Sequence, residues 1–382
     1  MQELRRRFSN LVPVRQRERR CAEASSSHGE DPTSGEHLLP PMPYPQTMSD
    51  PRRILPLLWI TAAVFTTFAQ AQAQDPDPAK AFFTAPENTL AVSELGIPFE
   101  MVWGDHRVGE RIIERAFLMV PVVVEGIEDE LFLQFDLGAP STVLYGPAVD
   151  SVIERGGMLP APNPGETSVS NVRLQVGTTR VSARSLEVLG HGSSIDWEDT
   201  DARRVLGTLG ADWIDGRVLV LDYPRNRLQL CPKMPAAFAE RELEPFSFRG
   251  RRIFLPAEID GQAGRLWFDT GSSAFELITD EESFRAMALD GAEEDVYPAQ
   301  SWGQPIKVHD IAADSKIVLG LTEIPLTRVS FIEWPDPRMV ETMTQALGGS
   351  NLGGMCGNQL FTNHTLILDA DGDRFWVGDQ GR

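Results

Sequence analysis

Cysteine is scarce in this chain, with three among 382 residues. Cys21 falls in a leading stretch that does not read as part of the fold, so Cys231 and Cys356 permit one intramolecular disulfide at most, and a disulfide framework is excluded. Cys356, in the apolar run Met355-Cys356-Gly357, reads as a small buried hydrophobe. Positive charge is also short. Thirty-five Lys and Arg against 55 Asp and Glu leave a net charge of −20. Such a chain offers no basic surface to release counterions from phosphates, so no nucleic-acid partner is expected. Acidity by itself implies a soluble, self-repelling surface. Several signatures are absent. His106, His191, His309 and His364 show no His-Glu-x-x-His spacing, there is no Gly-x-Ser-x-Gly elbow, and there is no Gly-x-x-x-x-Gly-Lys-Ser/Thr loop. Catalytic zinc, an α/β-hydrolase and a phosphate-loop enzyme therefore lack their marks, and neither metal nor cofactor is expected.

No stable membrane span is expected either. The apolar run from Ile54 to Phe68 is shorter than the roughly 20 residues that cross a bilayer. With Arg52-Arg53 before it and Ala69-Gln70-Ala71-Gln72-Ala73 after it, residues 48–73 have the layout of a secretory signal peptide, which implies an exported, periplasmic or secreted protein. Residues 1–47 are rich in Arg, Ser and Pro, lack apolar periodicity, and do not read as part of the mature protein; Met48 reads as the true start. Residues 74–114 read as a lead-in or linker.

The rest of the chain repeats itself. Leu133-Gln134-Phe135-Asp136-Leu137-Gly138-Ala139 corresponds to Leu266-Trp267-Phe268-Asp269-Thr270-Gly271-Ser272. Gly207-Thr208-Leu209-Gly210 corresponds to Gly354-Met355-Cys356-Gly357, and the same offset aligns Leu219, Leu221, Asp222 and Arg227 with Leu366, Leu368, Asp369 and Arg374. This pattern predicts an internal duplication, with lobes at 115–231 and 247–382 joined by a proline-bearing linker at 232–246. Strand patterns dominate. Phe117–Val124 and Leu131–Phe135 form a predicted hairpin that delivers Asp136, and Ile253–Ile259, a turn at Asp260-Gly261, and Leu266–Phe268 deliver Asp269. Helical pattern is scarce, its best short candidates being Glu281–Leu289 and Arg338–Leu347, with no evident counterpart in the first lobe.

An Asp-Thr-Gly triplet that follows an apolar strand and recurs in altered form in a second unit resembles the two-lobed aspartic peptidases of the pepsin and retropepsin superfamily, over residues 115–378. The resemblance implies an all-β fold of two homologous barrel-like lobes with a cleft between them. It implies that Asp136 and Asp269 form a catalytic pair, and that Gly210 and Gly357 end strands packed behind the two Asp loops. Two carboxyls so close cannot both ionise, so the pair shares a proton: one member activates water while the other polarises the peptide carbonyl. Gly138 and Gly271 are expected to bring main-chain N–H groups to the carboxylates, and Thr270 and Ser272 to supply bracing hydroxyls. The implied activity is that of an exported, monomeric endopeptidase acting on peptide or protein substrates.

The first lobe departs from this pattern. Leu137 and Ala139 stand where hydroxyl side chains are expected, which leaves open an alternative: a catalytically inactive relative that binds a peptide or envelope partner. No tyrosine lies between Gly146 and Gly207 to mark a lid hairpin. The Gly156-Gly157 and Gly190-His191-Gly192 turns are candidate flap tips or plain loop turns. Trp267 and Phe268 read as core residues, and Asp369-Ala370-Asp371-Gly372-Asp373 as a strand end and turn rather than a calcium loop.

Overall fold

The computed structural model describes residues 59–60, 83–108, 111–163, 165–301, 304–335 and 352–379. The leading segment 1–47, the secretory leader other than Trp59–Ile60, and the helix expected at 338–347 lie outside the described residues.

The described chain is an all-β fold in which the same strand path occurs twice. In the first lobe the path begins with β1 (Leu90–Ser93), β2 (Val102–Val108), β3 (Arg111–Val123), β4 (Leu131–Phe135), β5 (Val143–Tyr145) and α1 (Gly146–Glu154). It continues through β6 (Ser168–Val176), β7 (Thr179–Leu189) and β8 (Val205–Leu209), then β9 (Val218–Asp222) and β10 (Arg227–Cys231). In the second lobe β11 (Ser247–Arg249), β12 (Arg252–Ile259), β13 (Gln262–Phe268), β14 (Leu277–Thr279) and α2 (Glu281–Met287) come first. They are followed by β15 (Asp295–Ser301), β16 (Gln304–Leu319), β17 (Thr322–Glu333), β18 (Leu352–Cys356), β19 (Thr365–Asp369) and β20 (Arg374–Gly378). The core order β7-β5-β8-β4-β3 of one sheet matches β17-β14-β18-β13-β12 of the other.

Local sequence explains these elements. Along β7, Thr179, Val181 and Ala183 are buried while Arg180, Ser182 and Arg184 face water, the period-two alternation of a sheet with one wet face. In contrast β4, β9 and β19 are buried at every position, as strands covered on both faces must be, and their sequences are correspondingly apolar. Asp260 and Gly261 both take positive φ (47° and 84°), so the β12–β13 hairpin closes in two residues with the twist of its strands.

A six-stranded sheet joins the lobes. Its centre is the antiparallel pair β9–β19, with Val220 opposite Ile367, Val218 opposite Asp369 and Asp222 opposite Thr365. Corresponding residues of the two halves are thus paired about a local two-fold. The expected linker threads along this sheet: Phe238 packs on Trp376 with ring centroids 6.1 Å apart, and Glu244–Pro245 pairs with β20.

Two expectations need correction. Residues 90–114 are not a lead-in: β1 pairs with β7, Phe99–Glu100 with β10, and β2 with β3. Their strands are short or polar and end in turns, so period-two patterning is weak. Helix is also not confined to the second lobe, since α1 occupies the place after β5 that α2 occupies after β14. Its opening Gly146-Pro147 resembles a turn in sequence, but proline is tolerated in the first helical turn, where its missing N–H has no partner to lose. The second helix ends at Met287, before Leu289, because Ala288 bridges Ala313 and the Leu289 N–H bonds the Ala312 carbonyl. Its start is capped by Asp280, which accepts from the Ser283 N–H at 2.9 Å.

The parallel pairs β4–β8 and β13–β18 set the positions of both aspartates. Leu209 lies opposite Phe135 and Cys356 opposite Phe268, and the next N–H groups, of Asp136 and Asp269, bond the Leu209 and Cys356 carbonyls at 3.1 and 3.0 Å. Each strand ends in a ring contact: Trp213 meets Phe135 edge-on at 6.0 Å and Phe361 meets Phe268 at 5.2 Å. Gly210 and Gly357 lie so close behind the Asp loops that a Cβ would strike the Ser141 and Ser272 backbone. Gly357→Ala should therefore cost about 1–3 kcal/mol through overpacking, read as a lower denaturation midpoint at unchanged m-value; an equally stable variant would contradict this packing.

Candidate active site

Asp136 and Asp269 leave β4 and β13 at matching points and meet face to face, both fully buried. The Gly138 N–H reaches an oxygen of each, 2.9 Å from Asp136 and 3.1 Å from Asp269, so the two carboxyls are immediate neighbours. Burial, and then the charge of Asp136, push Asp269 well above the usual carboxylate range. Two adjacent acids without solvent cannot both carry charge, so this arrangement holds a proton to higher pH than a free aspartate would.

The two loops hold their carboxylates differently. Asp269 Oδ1 accepts from the Gly271 N–H at 2.8 Å and its Oδ2 from the Ser272 hydroxyl at 3.0 Å. Asp136 Oδ1 accepts from the N–H groups of Gly138 at 2.9 Å and Ala139 at 3.1 Å. At Ala139 the main chain thus supplies a bond to the first carboxylate, while Ser272, its counterpart, uses its side chain. The Gly138 N–H also reaches Asp269 Oδ1 at 3.1 Å, tying the first loop to the second carboxylate. Gly271 is required for close approach rather than for an unusual φ, since a Cβ there would lie 2.6 Å from the Asp136 carboxyl carbon.

Thr270 makes a second tie between the loops. Its Oγ1 accepts from the Leu137 N–H at 2.8 Å and donates to the Phe135 carbonyl at 2.9 Å. The reciprocal tie from the first lobe is lost because residue 137 is leucine, whose side chain is buried in the core. Behind Thr270, its carbonyl accepts from the Ser273 hydroxyl at 2.7 Å and Asn358 Nδ2 at 3.0 Å, and Asn358 in turn accepts from the Tyr223 hydroxyl at 2.6 Å.

Sequence reasoning missed several supports. Asp212 accepts from the Thr142 N–H at 2.8 Å and the Thr142 hydroxyl at 2.7 Å, holding the far end of the first loop. Burial raises Asp212 to about 6. Tyr145 and Thr208 share a hydroxyl bond at 2.7 Å, and burial pushes the Tyr145 phenol up to about 12. A polar residue inside an otherwise apolar run, as in Gly210-Ala211-Asp212 and Gly357-Asn358, was the available signal.

Neither proposed flap tip is a hairpin tip. Gly156-Gly157 ends α1: the Gly157 N–H bonds the Val152 carbonyl at 2.8 Å and the Gly156 N–H bonds Ile153 at 3.0 Å, with Gly156 at φ 100°. Gly192 packs on the Tyr145 ring after β7. The β15–β16 hairpin lies in the second lobe. Its Tyr297, Ile306 and Val308 pack with Phe275 and Ile278, which follow Asp269, and with Ile113 of the first lobe. Arg111 fastens this meeting, lying 2.9 Å from Asp295, 3.3 Å from Asp310 and 4.7 Å from the Tyr297 ring centre. Trp59–Ile60 adds as a parallel strand at Gln300–Ser301.

Trp267 and Phe268 are core residues. Cys231 and Cys356 are free and buried. Asp369 is engaged by its own turn, accepting from the Gly372 N–H at 3.0 Å and Arg374 at 2.7 Å.

No protein-family model matches this chain, and no curated protein matches it. Among solved structures it is similar to the aspartic proteinase from Irpex lacteus, at 12% identity and a TM-score of 0.39, over 76% of this chain and 98% of that one. The repeated strand path, the shared six-stranded sheet and the facing Asp loops make this an all-β fold of two like lobes.

Thr270→Val should leave the buried Leu137 N–H and Phe135 carbonyl without this partner and cost about 2–6 kcal/mol in a denaturant titration, at about 1–3 per orphaned group. A raised acid takes up a proton on folding, so its stabilisation is full at low pH and is lost as pH rises to the folded value. For Asp212 that window runs from its ordinary 3.8 to about 6. The parent's melting midpoint should accordingly fall relative to that of Asp212→Asn across this window; parallel curves would refute the assignment.

Proposed function

We propose that this chain is an exported aspartic-type endopeptidase. The observation that carries the reading is the buried Asp136–Asp269 contact, with each carboxylate also held by a glycine N–H two residues on. A water between such groups loses a proton to the ionised member as it attacks a peptide carbonyl, and the protonated member donates to the carbonyl oxygen. The resulting tetrahedral diol collapses when the nitrogen takes the proton now held by the first acid, a diol hydroxyl gives its proton to the second, and the C–N bond breaks. Both acids come from one chain, so a monomer suffices. Export rests on the signal-like residues 48–73. The substrate is an extended peptide, admitted when β15–β16 and the β2–β3 hairpin part, because both carboxyls are closed off from solvent in the described conformation.

A second reading is a binding module without catalysis, favoured by the one-sided bracing that Leu137 and Ala139 leave at Asp136. Hydrolysis of a mixed peptide library by the full chain from pH 3 to 7, beside Asp136→Asn and Asp269→Asn, separates the two. The expected result is acid-favoured cleavage that drops on the order of a thousandfold in each variant. Absence of cleavage by folded protein, with peptide binding retained, would establish the binding module instead.

A further inference from the structure

The first Asp loop lacks the internal side-chain bonds of the second. Pro140 stands where Ser273 does, four residues beyond the aspartate, and has neither a hydroxyl nor an N–H to offer. Ser273 holds the Thr270 carbonyl from within its own loop. In the first loop, the Pro140 carbonyl is instead held at 3.1 Å by Arg251 Nη1, a group from the opposite lobe.

Arg251 is built to make that reach. It sits at the tip between β11 and β12, and both Gly250 and Arg251 take positive φ, 61° and 60°. For a non-glycine residue that is a strained conformation, sustained only where its surroundings fix it. Its side chain is buried, and Nε bonds Asp215 Oδ2 at 3.0 Å, so one planar guanidinium grips the 3₁₀ turn after β8 and the Asp loop together. Asp215 is steadied in turn by Asn88 Nδ2 at 3.1 Å. On the opposite side the reach is weaker: Gln359 of the second lobe bonds the Glu114 carbonyl of β3 at 3.0 Å, an exposed neutral contact. The stronger arm thus serves the loop with fewer bonds of its own.

We propose that Arg251 is a positioning residue for Asp136, holding the first Asp loop from the second lobe in place of the hydroxyl braces that Leu137, Ala139 and Pro140 do not provide. The inference rests on the peptidase reading for its kinetic consequence, but its geometric content can be tested separately.

The test compares the full chain with Arg251→Gln, Arg251→Lys and Asp215→Asn. Arg251→Gln should lower kcat about ten- to a hundredfold with KM changed less than twofold, since misplacing a catalytic group by about 1 Å costs roughly that much. Arg251→Lys should fall between Gln and the parent. Asp215→Asn, which leaves the Pro140 bond, should stay within a few fold of the parent. The second readout is carbon-13 NMR titration of the aspartate carboxyls, with the pair assigned by Asp136→Asn and Asp269→Asn. A shifted pair titration in Arg251→Gln supports the proposal. A merely structural arginine would lower the melting midpoint while leaving the folded fraction with parental kcat and pair titration, and that result overturns it. If the parent cleaves no peptide, the peptidase reading fails, and the pair titration alone decides the role of Arg251.

Discussion

Two carboxyl groups pressed together without solvent is an arrangement a protein adopts only when everything around it is fixed. Removing one charge from water is expensive, and bringing a second beside it adds repulsion, so the pair survives by sharing a proton and by accepting hydrogen bonds from a rigid backbone. The architecture described above serves that end. The parallel pairs β4–β8 and β13–β18 bring each aspartate to the same depth, the two glycines behind them let the loops be backed without a gap, and the six-stranded sheet brings the loops face to face.

The two halves share this scheme but divide the bracing unequally. Thr270, Ser272, Ser273 and Asn358 make the second loop nearly self-supporting, and Thr270 also steadies the first through Phe135 and Leu137. The first loop keeps its main-chain bonds to Asp136 and gains support at its far end from Asp212 and across the lobes from Arg251. A fold tolerates such one-sidedness readily, because single hydrogen bonds contribute modestly to stability. Chemistry is less forgiving of displacement, so the peptidase reading requires these outside supports to hold Asp136 as closely as hydroxyls would.

The β15–β16 hairpin belongs to the lobe with the Asp-Thr-Gly triplet, and it meets the β2–β3 hairpin through the Arg111, Asp295 and Asp310 cluster. Glycine turns in the first lobe drew attention in the sequence because glycine permits hairpin tips. Gly156-Gly157 instead ends a helix, a use that local composition cannot distinguish from a turn.

The sequence by itself determined the strands, the two Asp loops and the glycines behind them. Those features follow from local rules: apolar runs for strands buried on both faces, a period of two for strands with one wet face, and glycine where backbones crowd. It did not reveal the strands of residues 90–108, whose patterning is short and polar, or α1, whose opening Gly-Pro looks like a break. Only the tertiary structure decided which groups support the pair. Thr270 meets Leu137 and Arg251 meets Pro140 across more than a hundred residues of chain, and nothing in the local pattern of either partner encodes the other. These contacts exist because the shared sheet fixes the approach of the lobes, which arises only when the whole chain packs.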